Sequence, residues 1–374
     1  MLKPRVAILF GGRSGEHQIS CATAASVLSA IDRDRYDVVP IGITETGQWV
    51  RVPDDPELYR MRDGEGAVIE ADSNFVTFWA GTNALVASNT ITDSYEGGEP
   101  LAVADLGRID VVFPLLHGPF GEDGLIQGYL ESCDVRYVGC GVASSAVCMD
   151  KHLAKTVLRA SGIAVGRWTQ VPDRLWRQDR SLALEQAASV APVVYVKPNR
   201  AGSSLGVSRV DDHADLEAAI ERARVHDPNV IVEAAVTGRE IECGVLEFED
   251  GPRASVCGEI AVSGNHAFYD FKHKYQSHDA VQILCPTQLP EDISDQIRAI
   301  AVDAFDAVRG EGIARVDFFY QEETGQVILS EINTMPGMTP WSMYPGLWEA
   351  TGVAYPQLLT QLIDAALARP SGLR

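Results

Sequence analysis

No Cys-x-x-Cys pair occurs in this chain, although it holds seven cysteines, at positions 21, 133, 140, 148, 243, 257 and 285. An odd number without paired spacing argues against a disulfide framework and fits a reducing compartment. No stretch approaches the roughly 18 consecutive apolar residues of a spanning helix, so no membrane segment is expected. The N-terminal MLKPRVAILF lacks a small-residue cleavage site and reads as a strand rather than a secretory signal, so a cytoplasmic protein is expected. Positive charge is scarce: 31 Lys and Arg stand against 52 Asp and Glu, a net charge of -21. Such a chain repels a phosphate backbone, which excludes a general nucleic-acid binder. His266, His273 and His278 lack the spacing of a structural zinc site. Internal repeats are missing as well.

What is present is ordinary for a globular enzyme, with 46% hydrophobic and 22% charged residues. A length of 374 residues suggests two or three domains. Residues 5–10, RVAILF, form an apolar strand that stops at Gly11-Gly12, and a helix is expected from about 16 to 31. Strand-like YDVVPIGIT follows. Residues 51–108 are polar, Gly-rich and weakly periodic, and read as an insertion with short strands VTFWA and ALVAS. IDVVFPLLHG then returns as a buried strand, followed by a helix near 124–132 and strand VRYVG. Strands alternating with helices indicate a parallel α/β layer.

A smaller unit follows: helix 150–160, strand WTQV, helix 181–190, strand PVVYVKP, a Gly/Ser loop, strand GVSRV and helix 213–224. The remainder holds strands VIVEAAV and ECGVLEF, a long loop, helix 291–309, and strands RVDFFY and VILSEIN. The terminal YPQLLTQLIDAALARP carries an apolar stripe at helical spacing, expected to serve packing.

Several stretches could carry chemistry. FGGRSGEHQIS (10–20) is a strand, a Gly turn and a helix start. Its N–H groups could face an anion, or Glu16 could merely favour the helix dipole. It is not G-x-G-x-x-G, so a dinucleotide reading is weak. VKPNRAGSSLGVSRV (196–210) places Lys197 at a strand end before a loop with Ser203 and Ser204. It leads into a strand, unlike a Walker A loop, and reads either as a hairpin closing over phosphates or as an ordinary hairpin. MDKHLAK (149–155) sets Lys151 in a first helical turn, where a cation is unfavourable unless it serves an anion. HGPFGEDG (117–124) follows a buried strand, where α/β ligand sites lie; His117 either meets a ligand or satisfies the loop. FYDFKHKYQSHD (268–279) mixes aromatics, lysines and His without periodicity, as a lid can.

In VILSEINTMPGMTP (327–340), strand alternation places Val327, Leu329, Glu331 and Asn333 on one face, with Glu331 and Asn333 roughly 6–7 Å apart. An inward carboxylate needs a partner. ARVDFFY (314–320) supplies Arg315 and Asp317 at the same spacing. Three oxygen ligands without Cys or His favour Mg²⁺ or Mn²⁺ held partly through phosphates, hence shared with a nucleotide.

In this order, these segments and the E-x-x-x-x-G-R-E stretch at 233–240 make the chain resemble the D-alanine–D-alanine ligases, ATP-grasp enzymes of peptidoglycan synthesis, over almost its whole length. The resemblance implies an α/β fold of three domains: a Rossmann-like parallel sheet over 1–140 with insertion 51–108, a small central α+β domain over 141–229 with phosphate loop 201–206, and a C-terminal α+β domain over 230–374 with lid loop 264–285. It implies that Lys151, Lys197, Ser203, Ser204 and Lys274 meet ATP phosphates, that Glu233, Ala234, Ala235 and Val236 face adenine, and that Glu240 meets the ribose. Ala234 stands where the family often has lysine.

By the same resemblance, Asp317, Glu331 and Asn333 would hold two Mg²⁺ (or Mn²⁺). Glu16, linked to Ser203 and Tyr275, would orient the first D-alanine, with His117 nearby. Arg315 and the N–H of Gly337 would stabilise an oxyanion, and Ser342 with Met343 would take the second D-alanine's carboxylate. A D-alanyl phosphate intermediate and a homodimer are expected. The rivals are a D-alanine–D-lactate or D-alanine–D-serine ligase and a non-catalytic ATP-binding regulator.

Overall fold

The computed structural model describes residues 2–62, 64–71, 75–88, 103–262 and 281–370. The N-terminal part runs β1 (Arg5–Gly11), α1 (His17–Ala30), β2 (Asp37–Ile43), β3 (Trp49–Arg51), β4 (Phe75–Trp79), β5 (Ala84–Ser88), β6 (Val103–Arg108), β7 (Val111–Pro114), α2 (Leu125–Ser132) and β8 (Arg136–Tyr137). These strands form one sheet in the order β6-β5-β4-β3-β2-β1-β7-β8. Strand β1 pairs in parallel with β2 and β7. It is buried on both faces: Val6, Ile8 and Phe10 enter one core, Ala7 and Leu9 another. That explains an unbroken apolar run where a half-exposed strand would alternate. The expected parallel sheet is formed by β2-β1-β7-β8, and β3 with the described parts of the 51–108 insertion, β4 to β6, extends its β2 edge as an antiparallel meander.

Next come α3 (Val142–Met149), α4 (Lys151–Ala160), β9 (Trp168–Val171), α5 (Asp173–Gln178), α6 (Arg180–Ala188), β10 (Val194–Pro198), β11 (Ser208–Val210), α7 (Leu216–Arg224) and β12 (Val230–Ala234). Helix α3 is not expected from sequence, since VASSAVCM is rich in Val and Ser, weak helix formers. Asp150 separates α3 from α4 and caps the latter, accepting from the Leu153 N–H at 2.9 Å. Strands β11-β10-β12-β9 make an antiparallel sheet. Because Val230 opens one of its strands, the expected break between 229 and 230 precedes the last strand of this sheet rather than following it. Leu158 of α4 packs into the next core instead, with Ile297 and Val316.

That last unit holds β13 (Arg239–Phe248), β14 (Gly251–Val262), β15 (Val281–Leu284), α8 (Glu291–Ala307), β16 (Ile313–Gln321), β17 (Gln326–Asn333), α9 (Met343–Thr351) and α10 (Tyr355–Ala368). The sheet order is β15-β14-β13-β16-β17. Of the expected lid over 264–285, Val281–Leu284 is therefore an edge strand, and 264–280 lie outside the described residues. Helix α8 buries Ile293, Ile297, Ala301, Ala304 and Phe305, an i, i+4 stripe, while Glu291 and Asp292 suit the positive end of its dipole. Helix α10 buries Leu358, Leu359, Leu362, Ile363 and Ala366 against the same core as Val6 and Ile8 of β1. The terminal stripe thus fastens the C-terminal unit to the first sheet.

One register feature corrects the sequence reading. Asp317 pairs with Glu331, but Phe318 pairs with Leu329, leaving Ser330 as an extra residue. A bulge of this kind reverses the alternation of faces. Val327, Leu329 and Ile332 are buried, whereas Glu331 is exposed. Glu331 and Asn333 therefore share the face of Arg315 and Asp317, not that of Val327 and Leu329.

Candidate functional site

Loops from all three sheets enclose a cleft of about 340 Å³. One wall is reached through the turn at Gly11 and Gly12, both at positive φ (89° and 100°). A Cβ at Gly11 would run into the carbonyl oxygen of Ile43. This turn carries the chain into α1 and delivers Glu16 to the cleft. Ser203, from the β10–β11 loop, donates its hydroxyl to Glu16 Oε1 at 2.5 Å. Ser203 and Ser204 both adopt left-handed φ, 49° and 57°, and so mark a strained turn. The other Glu16 oxygen faces Gly118, where a Cβ would approach Oε2 to 2.8 Å.

His117 is buried beside Glu16, with Nε2 at 3.3 Å from Thr23 Oγ1. Burial pushes its pKa down against the opposing pull of Glu16. Glu122, from the same HGPFGEDG loop, accepts the Gly118 N–H at 2.6 Å. Burial first, and Glu16 second, raise its carboxyl to about 8.

The opposite wall is cationic. Lys151 donates to the carbonyl oxygen of Ala201 at 2.6 Å, which ties α4 to the serine loop. Burial lowers its pKa, opposed by Glu331. Lys197 contacts Glu233 Oε2 at 2.9 Å, and Lys155 contacts Oε1 at 3.4 Å. Burial alone would raise the Glu233 pKa, but Lys155, Lys197 and Lys151 overcome it and hold the carboxyl down at about 2.

At the floor, Arg315 makes a two-pronged contact with Asp317, Nε to Oδ1 and Nη2 to Oδ2, both 2.7 Å. Its Nε also lies 3.0 Å from Glu242 Oε2. Burial pulls the guanidinium pKa down, and Asp317, Glu242 and Glu331 more than reverse this, so the group stays charged. Asn333 Nδ2 donates to Asp317 Oδ2 at 2.9 Å, so the amide oxygen is the atom Asn333 can offer a cation. Two carboxylates and an amide, without sulfur or imidazole, suit Mg²⁺ or Mn²⁺. Among the described residues no group of three or more His, Cys, Asp or Glu forms a ready-made metal cage. The set therefore fits cations that take further ligands from phosphate and water.

Beyond β17 the chain turns through Gly337, where a Cβ would come within 2.7 Å of Ser342 Oγ. The Ser342 hydroxyl lies 2.6 Å from Thr339 Oγ1, and Met343 starts α9, buried.

Of the residues expected from sequence, Glu16, His117, Lys151, Lys197, Ser203, Ser204, Arg315, Glu331, Asn333, Gly337, Ser342 and Met343 line this one cleft. Asp317 and Glu233 sit behind it, through Arg315 and Lys197. Ala234, Ala235 and Val236 are half-buried, and Glu240 is exposed; they do not line it. Lys274 and Tyr275 lie outside the described residues. Sequence reasoning passed over Lys155, Glu122 and Glu242. Lys155 lies one helical turn after Lys151, and Glu242 faces Asp317 across β13 and β16. The i, i+4 spacing could have flagged the first, but strand pairing is not readable from sequence.

Family models described as D-ala D-ala ligase N-terminus and D-ala D-ala ligase C-terminus match residues 5–140 and 157–364. A D-alanine–D-alanine ligase of Kineococcus radiotolerans is 50% identical over 100% of this chain and 99% of the relative. One of Streptomyces coelicolor is 50% identical over 99% and 95%. Among solved structures, the D-alanine–D-alanine ligase from Coxiella burnetii matches with TM-score 0.78 and 34% identity, covering 98% of this chain and 94% of its own. A D-Ala:D-Ser ligase from Enterococcus faecalis matches with TM-score 0.80 and 30% identity, covering 98% and 100%.

Proposed function

The chain belongs to the D-alanine–D-alanine ligase family, and on that premise we infer the work of its cleft. The protein is an ATP-dependent ligase that joins two D-alanines into D-alanyl-D-alanine through a D-alanyl phosphate, for peptidoglycan precursors. The observation that carries this reading is the convergence of Glu16, two lysines, Arg315 and Glu331 on one cleft from three separate sheets.

In this reading Glu16, held by Ser203, takes the ammonium of the first D-alanine and points its carboxylate at the lysine wall, with His117 beside it. Lys151 and Lys197, with Ser203, Ser204 and Lys274, hold phosphate oxygens of ATP. The segment Glu233 to Val236 faces adenine and Glu240 the ribose. Asp317, Glu331 and Asn333 would hold two Mg²⁺ or Mn²⁺, which when bound neutralise charge on the phosphates. The γ-phosphoryl passes to the first carboxylate, and the second amine then displaces phosphate at the acyl carbon. Arg315 and the Gly337 N–H stabilise the oxyanion that forms there. Ser342 and Met343 seat the second carboxylate, and Tyr275 completes the hydrogen-bonded link to Glu16. Enclosure by the serine loop keeps water from the acyl phosphate.

We place the enzyme in the cytoplasm as a homodimer. No helix among the described residues is long and apolar enough to cross a membrane.

Phosphate release with ATP and Mg²⁺, run with D-alanine, D-lactate, D-serine and L-alanine and read with product mass, tests the reading. D-alanine-dependent release of the dipeptide is expected. A mixed dipeptide or depsipeptide would keep the mechanism and change the acceptor. ATP binding without turnover would favour the regulator.

A further inference from the structure

Glu233 carries two lysines on one carboxylate, and they differ in what else they can reach. Lys197 Nζ sits on Oε2 at 2.9 Å and lines the cleft. Lys155 Nζ sits on Oε1 at 3.4 Å and is not among the residues lining the cleft. The side chains of Lys155, Glu233 and Lys197 are 5%, 11% and 22% exposed. Lys155 is thus sealed behind the carboxylate, whereas Lys197 stands between it and the cleft. Helix α4 fixes this division, since Lys151 and Lys155 lie four residues apart on one face and Lys151 reaches forward to Ala201.

A buried carboxylate stripped of its only cation is strongly unfavourable. If Lys197 had to neutralise Glu233 alone, its transfer to incoming phosphates would leave such a charge behind. With Lys155 in place, Glu233 stays paired and Lys197 can move. We propose that Lys155 is a positioning residue, the resident counter-ion of Glu233 that frees Lys197 for the nucleotide phosphates. This rests on the nucleotide reading of the cleft given above.

The test is calorimetric titration of ATP with Mg²⁺, without D-alanine, into five proteins: wild type, Lys155→Met, Lys155→Arg, Glu233→Gln, and Glu233→Gln with Lys155→Met. Lys155→Met should weaken ATP by about tenfold or more, and Lys155→Arg should restore most of that loss. In the Glu233→Gln background Lys197 is no longer retained, so adding Lys155→Met should change affinity by less than about threefold. Glu233→Gln leaves Lys155 as a buried cation without its carboxylate, and the double variant removes both charges, so the urea midpoint of each is recorded before their affinities are compared. A tenfold difference between them would overturn the inference, because Lys155 would then act on the nucleotide without Glu233. A folded Lys155→Met that binds ATP as wild type does would overturn it as well. Wild-type protein that binds no ATP would overturn the nucleotide reading and this inference together.

Discussion

Ser203 Oγ and Glu16 Oε1 meet at 2.5 Å although 187 positions separate them in the chain. The contact joins the β10–β11 loop to the start of α1 on the side of the cleft where we propose the first D-alanine sits. It is a hydrogen bond to a charged acceptor, the stronger kind. Ser203→Ala should therefore lower kcat/KM for D-alanine by about 10- to 100-fold and weaken ATP as well, since the same hydroxyl is proposed to meet its phosphates, while Tm stays close to wild type. Steady-state kinetics with each substrate varied in turn checks this. A D-alanine KM and kcat equal to wild type would show that the contact is incidental.

Arg315 is held by Asp317 at 2.7 Å and by Glu242 at 3.0 Å. Removing it leaves two largely buried carboxylates facing each other across β13 and β16. Arg315→Met should cost about 3–5 kcal/mol of stability, and, if it is the oxyanion donor we propose, lower kcat by roughly 10²–10³ as well. Urea unfolding separates the two effects. A variant inactive but with an unchanged midpoint would confine Arg315 to catalysis.

The sequence made much of this site legible, and the reason is local. Gly11-Gly12, the Gly/Ser loop and the Asp317 and Glu331 strands each carry their signal within about ten residues. Of the charged residues lining the cleft, all but Glu122 and Glu242 follow from those stretches or from the family likeness they support. What escaped depends on distant pairing. The extra Ser330 that turns Glu331 and Asn333 to the Arg315 face is set by the register between β16 and β17, which simple alternation cannot foresee. Glu242 became visible only when β13 paired with β16. The mixed character of the first sheet had the same origin, because weakly periodic residues gave no sign of which edge they would extend.

Glu331 is exposed on the cleft wall opposite Asp317. As the Mg²⁺ ligand we propose, it would contribute a full negative charge, and Glu331→Gln keeps its size while removing that charge. The variant should need about tenfold more Mg²⁺ for half-maximal activity, with Tm shifted little because the side chain meets solvent. A metal titration that overlays wild type would remove Glu331 from the metal set.

Glu122 makes a pH prediction whose sign follows from its environment. Its carboxyl is raised from an ordinary value near 4.5 to about 8, by burial first and by Glu16 second. Below pH 4.5 the folded and unfolded chains both hold the proton, and above 8 neither does. Between those values the folded protein holds a proton that the unfolded chain has released. Stability therefore falls as pH rises from about 4.5 to 8, with a slope from this group no steeper than about 1.4 kcal/mol per unit. Glu122→Gln keeps an acceptor for the Gly118 N–H and removes the titration. Its Tm should match wild type near pH 5 and exceed it near pH 8. Parallel Tm curves for the two proteins across that range would show that Glu122 is ionised in the folded state throughout.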